Sequence, residues 1–182
     1  YKRQAVMGLA DEFTAEMAQS ITGNKNTPSL LTRLTEQNAF VKRLPDGVTF
    51  RFHHMMKDCA EQAFAALKPE KQRLYWERYG AWYERQRQYL HALAAYRKSG
   101  SYDALLRVIQ SDAGILLSTL DPTVVLTTLE ECPVSTLKKH PLAILVLMRS
   151  MFNWRNIPKM LELKALLMAA IAEHPELAAE ER

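Results

Sequence analysis

His53 and His54, two adjacent imidazoles, are the residues of this chain best placed to do chemistry. They sit where one periodicity gives way to another. Val48, Phe50 and Phe52 alternate with Thr49 and Arg51, as in a strand with one buried face. From Met56 the apolar residues Met56, Cys59, Ala60, Ala63, Phe64 and Leu67 recur at helical spacing. A histidine at this switch stands at the mouth of a helix, where the first backbone N–H groups lack internal partners and the dipole favours negative charge. Phosphate recognition is therefore chemically available. An imidazole there can equally do no more than cap the helix or pack on its first turn.

No other pattern carries chemistry. The five histidines His53, His54, His91, His140 and His174 form no HExxH, and no motif sets a His and an Asn beside Cys59 or Cys132. No catalytic residue and no metal ligand is assigned. The chain has no GxxxxGK[ST] phosphate loop and is not expected to hydrolyse ATP by itself. Two distant cysteines are too few for a disulfide framework, so reduced thiols in a cytoplasmic setting are expected. No run approaches the ~18 apolar residues of a membrane helix. Tyr1 to Met7 reads as the interior of a helix, so a piece of a longer protein is expected.

The net charge of +4 is unevenly spread: residues 67–110 carry 9 basic and 4 acidic side chains, against 8 and 7 before them and 7 and 9 after. In that middle stretch Arg73, Arg78, Arg85 and Arg97 interleave with Tyr75, Trp76, Tyr79, Trp82, Tyr83 and Tyr96. Basic residues among aromatics suit a nucleic-acid surface. The helical spacing of these aromatics favours the other reading, rings at a core edge covered by arginine stems.

The elements that must position the histidines can be read from punctuation. Thr14 is a plausible N-cap for a helix carrying Met17 and Ile21 and closed by Gly23. Thr27-Pro28 starts a second helix, with Leu30, Leu31 and Leu34 on one face, ending near Asn38. Phe40 to Leu44 and Val48 to Phe52 flank the turn Pro45-Asp46-Gly47 and predict a hairpin. Helix, helix, hairpin and helix is the order of a winged helix. Beyond it, helices are expected from Pro69, over Gln88 to Lys98, over Tyr102 to Gln110 with Ser101 as cap, and through Ile115 to Leu117. Asp121-Pro122, Val134, His140-Pro141 and Pro158 open the rest, the last ending before Pro175. Helix pairs at such intervals describe an α-solenoid whose units bury their apolar faces on neighbours, although they could close into a bundle instead. The Leu- and Ala-rich last helix, with the acidic tail from Glu173 to Arg182, fits truncation within an array. The expected fold is mainly α: a winged-helix module at 1–67 with a small β-hairpin, then TPR-like antiparallel helical repeats at 68–182.

The stretches Phe13–Gly23, Leu30–Leu34, Asn38–Val41 and Phe50–His54, in this order and spacing, resemble the winged-helix segment of LuxR-type, maltose-regulon-activator-like regulators with a STAND-class ATPase. The runs AWYERQRQYLHALAAYRKSG and SYDALLRVIQ resemble the first helical repeats of that family, with Arg85-Gln86 in place of an expected loop glycine. The likeness covers residues 9–110 well and residues 111–182 only as generic repeats. It implies an internal regulatory fragment of a transcription regulator, whose winged helix folds against an upstream nucleotide-binding domain in the resting ADP state. By its place after Phe52, His53 matches the family histidine that contacts the phosphate of ADP, and His54 then serves orientation or packing. ATP or ADP with magnesium would be held by the upstream domain, an effector small molecule or protein by the repeats, and DNA by a C-terminal domain beyond Arg182. Two other roles stay open: a direct DNA-binder using the helix Thr27–Asn38 with Lys42, Arg43 and Arg51 on phosphates, and a scaffold whose repeats bind a peptide.

Overall fold

The computed structural model of the chain describes residues 6–37 and 41–173. The chain divides after Gln86 into two compact units. The sequence reading put a boundary at 67/68, whereas the helix Pro69–Arg85 groups with the first unit.

That first unit runs β1 (Phe13–Thr14), α1 (Ala15–Thr22), α2 (Thr27–Glu36), β2 (Val41–Arg43), β3 (Thr49–Phe52), α3 (His54–Ala65) and α4 (Pro69–Arg85). Thr14 caps α1, its hydroxyl accepting from Met17 N at 3.1 Å, and the Gly23 N–H closes the helix on Gln19 O. The hairpin forms as expected, with Val41 opposite Phe52 and Arg43 opposite Phe50. Gly47 takes φ 73°, and the Asp46 carboxylate accepts from the Thr49 hydroxyl and then from the Thr49 and Val48 N–H groups, which holds that carboxyl below its usual range. Phe40 and Asn38 lie outside the described residues.

Three local expectations need correction. A third strand, β1, pairs antiparallel with β3 through Phe13 and Phe50, so the sheet order is β1-β3-β2. Val48 belongs to the turn and is 62% exposed, while Phe50 and Phe52 are buried. On α2 only Thr27 and Leu31 are buried, because Leu30 projects to solvent and the Thr27 hydroxyl turns back to Asn24 O at 2.6 Å. Phe13 joins Phe50 and Phe52 at centroid distances of 6.1 and 5.1 Å, so the sheet and α1 share one apolar core with Met17, Ala18 and Ile21.

The aromatic residues of α4 build core, not a nucleic-acid face. Phe64, Trp76, Tyr79 and Tyr83 follow one another at centroid distances of 5.7, 5.8 and 6.0 Å. Arg78 lies over Tyr75 and donates to Ile21 O at 2.9 Å, while Arg85 lies over Trp82. A cation at the last carbonyls of α1 complements that helix dipole and fastens α4 to α1.

The second unit comprises α5 (Tyr89–Ser99), α6 (Tyr102–Ser111), a 3₁₀ turn (Leu116–Thr119), α7 (Pro122–Glu131), α8 (Val134–Lys138), α9 (Pro141–Asn153) and α10 (Ile157–Glu173). Helices α5 and α6, and α9 and α10, pack as antiparallel pairs across short connections, and α6 also packs on α9. Tyr96, Leu106, Val108, Ile144, Leu147 and Met151 form its core. Asp121 caps α7 as expected, its carboxylate accepting from Thr123 N at 2.7 Å. Ser101 stands at the start of α6 but makes no capping bond, because its hydroxyl pairs with that of Ser99 at 2.9 Å. The helix expected through Ile115 is only a 3₁₀ turn: Ala113 and Gly114 are both left-handed, at φ 49° and 77°, and interrupt it. The left-handed residue after α4 is Arg87, at φ 57°, close to where the resemblance expected a loop glycine. A winged-helix module followed by antiparallel helical repeats describes the fold. No helix among the described residues is long and apolar enough to cross a membrane.

Candidate functional site

The wing–helix junction is built from below by three phenylalanines. Phe50 and Phe52 point into the sheet core, so the residue after Phe52 emerges at the sheet's end and turns the chain into α3. That residue is His53. It occupies the N-cap position with φ −59° and ψ 146°, and its carbonyl accepts from Met56 N at 2.9 Å and Lys57 N at 3.1 Å. Its imidazole makes no capping hydrogen bond and is exposed. Capping, one of the two roles open to it from the sequence, is therefore not what the side chain does. The N–H groups of His54 and Met55 precede the first helical hydrogen bond and face the same open side.

His54 is 91% exposed, with Nδ1 3.5 Å from Asp58 Oδ2 one turn on, so it does not pack. Met55 is 78% exposed, an unusual placement for a large apolar side chain beside two imidazoles. Cys59 and Ala63, assigned to the buried face by their spacing, are exposed as well, and α3 buries only Ala60 and Phe64. The helix that begins at His53 thus keeps most of its surface open.

Cations border the junction but are engaged. Arg51 pairs with Glu12 and Lys57 with Asp11, both acids lying in the segment before β1. The hydrogen bond from Lys57, and then its charge, hold the Asp11 carboxyl below the usual range, and Asp11 in turn raises the Lys57 ammonium. Sequence reasoning singled out neither acid. Sequence separations of 39 and 46 residues hide both pairs from any local pattern. With these charges matched, the donors facing solvent at the mouth of α3 are the His53 and His54 imidazoles and the first backbone N–H groups. That set suits a phosphate oxygen: imidazole and amide donors around a helix N-terminus.

Residues 6–72 match the family model of the MalT winged helix domain. The match takes in the whole sheet, α1 to α3 and the opening of α4, and it is less than half of the chain. No curated protein matches the chain. In this chain β3 lies between β1 and β2 and the wing leads straight into α3, and on that order the placement of His53 depends.

The alternative DNA-reading face is poorly furnished. Helix α2 exposes one cation, Arg33, and one acid, Glu36. On the wing Arg43 lies over the Phe50 ring at 5.3 Å and Arg51 is held by Glu12, which leaves Lys42 as the exposed cation with neither engagement. Duplex binding draws on several phosphate contacts, each from a cation released to the backbone.

Proposed function

We propose that this chain is a regulatory segment of a signal-transducing transcription regulator, in which the winged helix reports the nucleotide state of an upstream ATPase domain and the helical repeats receive an effector. The observation that carries this reading is the exposed, uncapped mouth of α3 with His53 on it, inside a module similar to the MalT winged helix domain. In the resting state the upstream domain docks on the junction, and a phosphate oxygen of ADP accepts from the His53 imidazole and the first N–H groups of α3. Magnesium and the rest of the nucleotide are held by that domain and not by this chain. Exposed Met55, two residues on, supplies apolar contact beside the imidazole. When ATP and effector bind, the contact is released and the module moves. As a segment it passes on a signal and turns over no substrate, a cytoplasmic role.

Support for this reading over direct DNA binding comes from the matched charges at Arg51 and Lys57 and the near-neutral face of α2. Amide hydrogen exchange tests it in a longer protein that carries the upstream domain. His54 and Met55 amides are expected to exchange fast without nucleotide and to become protected with ADP and magnesium, because their N–H groups gain acceptors. Unchanged exchange at both positions, with ADP bound, would contradict the docking.

A further inference from the structure

A cavity of about 470 Å³ lies within the second unit, walled by α5, α6, the 3₁₀ turn, α7 and α9. Its lining is apolar, including Leu93, Leu106, Leu117, Val125, Leu129 and Leu147. The space opens to solvent beside the exposed Leu90, Ala94 and Val124, so it is a concave apolar site that a small molecule could enter. The cause is visible in the packing. Helix α7 does not make the close backbone approach that joins α5 to α6 or α9 to α10. It is held instead at its C-terminal end, where the Arg97 guanidinium of α5 donates to both Glu131 oxygens at 3.0 Å. Both partners of this clasp lie on the cavity's lining.

The polar groups on the lining are few: Arg97, Lys98, Thr128, Glu131 and Cys132 among twelve apolar residues. Arg97 and Glu131 satisfy each other, and the Thr128 hydroxyl donates to Val124 O at 2.7 Å. Burial, and then the charge of Asp103, push the Cys132 thiol up to about 11, so that wall stays neutral. A sugar or a phosphorylated compound would surrender most of its hydrogen bonds to water against this mainly apolar wall. A hydrocarbon skeleton loses nothing by entry. The volume falls in the roughly 300–1,000 Å³ range of small-molecule sites.

We propose that this cavity binds one uncharged, mainly hydrocarbon small molecule, admitted past the Arg97–Glu131 clasp. The inference gives a chemical class to the effector assigned to the repeats above and rests on that reading for its meaning. Binding is read on the 182-residue chain alone, so its failure is distinct from a failure of nucleotide coupling.

The probe is N-phenyl-1-naphthylamine, an uncharged apolar fluorophore, titrated into the chain. Saturable enhancement at one site per chain is expected. Ala94→Trp, which fills the cavity from exposed Ala94 on α5, is expected to weaken the affinity roughly tenfold or more, whereas Ala81→Trp on α4 should leave it unchanged. If Ala94→Trp does not melt cooperatively, nuclear Overhauser contacts between the probe and the methyls of Val125 and Leu129 in the unaltered chain decide the matter. No saturable enhancement overturns the inference, as does unchanged affinity in a folded Ala94→Trp chain or probe contacts only outside these methyls. Affinity that falls as the chain is concentrated would assign the mouth to a second copy and overturn it too.

Discussion

Replacing Tyr79 with alanine is expected to cost about 3–5 kcal/mol, the range for emptying a large aromatic site in a packed core, and to unfold the winged-helix unit well before the second unit. Tyr79 is 1% exposed and stands between Trp76 and Tyr83 in the aromatic row that joins α4 to α3. Its hydroxyl donates to Val6 O at 2.7 Å. Tyr79→Phe keeps the ring and strands that carbonyl, which is expected to cost about 1–3 kcal/mol. Urea unfolding followed by Trp76 and Trp82, in a Trp154→Phe background, reads the first unit alone. A Tyr79→Phe midpoint equal to that of the parent would show that the hydroxyl bond contributes nothing.

A pH dependence goes with it. Burial, and then Tyr83, push the Tyr79 phenol far above its ordinary value. The stabilisation it brings is complete below the unfolded value of about 10 and fades as pH rises above that point, because only the unfolded chain then releases its proton. The parent should lose stability in alkali faster than Tyr79→Phe does.

Gly114→Ala is the second large effect. At φ 77° a side chain is strained by about 1–2 kcal/mol, and the new Cβ would lie 2.4 Å from Val146 Cγ1 on α9. Val146 is β-branched and helical, so it has one strongly preferred rotamer and yields poorly. Overpacking adds about 1–3 kcal/mol. Thermal unfolding of the second unit should fall accordingly, and a Val146→Ala background should recover the steric part while leaving the backbone strain. A Gly114→Ala chain as stable in the Val146 background as in the Val146→Ala background would remove the clash from the account.

Much of the module was legible because its punctuation is local. Thr14, Gly23, the Pro45-Asp46-Gly47 turn and Asp121 each act within a few residues, and each does in the structure what its residue type predicts. Tertiary pairing was not legible. A two-residue strand such as β1 has no period to detect, and its pairing with β3 reaches across α1, α2 and β2. Helical spacing assigned Cys59 and Ala63 to a buried face, but spacing gives only which residues share a face, not whether anything covers it. The cavity was hidden for the same reason. Leu93, Leu106 and Leu129 are buried residues on three different helices, and no local pattern shows that the stand-off of α7 leaves a space among those helices.

The position of His53 was the most specific expectation. The structure brings it to the exposed N-cap of α3, backed by Phe52 and free of any capping bond. Its neighbours Arg51 and Lys57 are bound to acids of the same unit.

The most direct measurement is the ADP dissociation rate of a longer protein that includes the nucleotide-binding domain expected upstream. The account predicts that His53→Ala speeds release roughly tenfold or more, as loss of a phosphate hydrogen bond worth ~1.5–3 kcal/mol requires, while His54→Ala leaves it near the parent rate. Release from the His53→Ala protein at the parent rate would contradict the account.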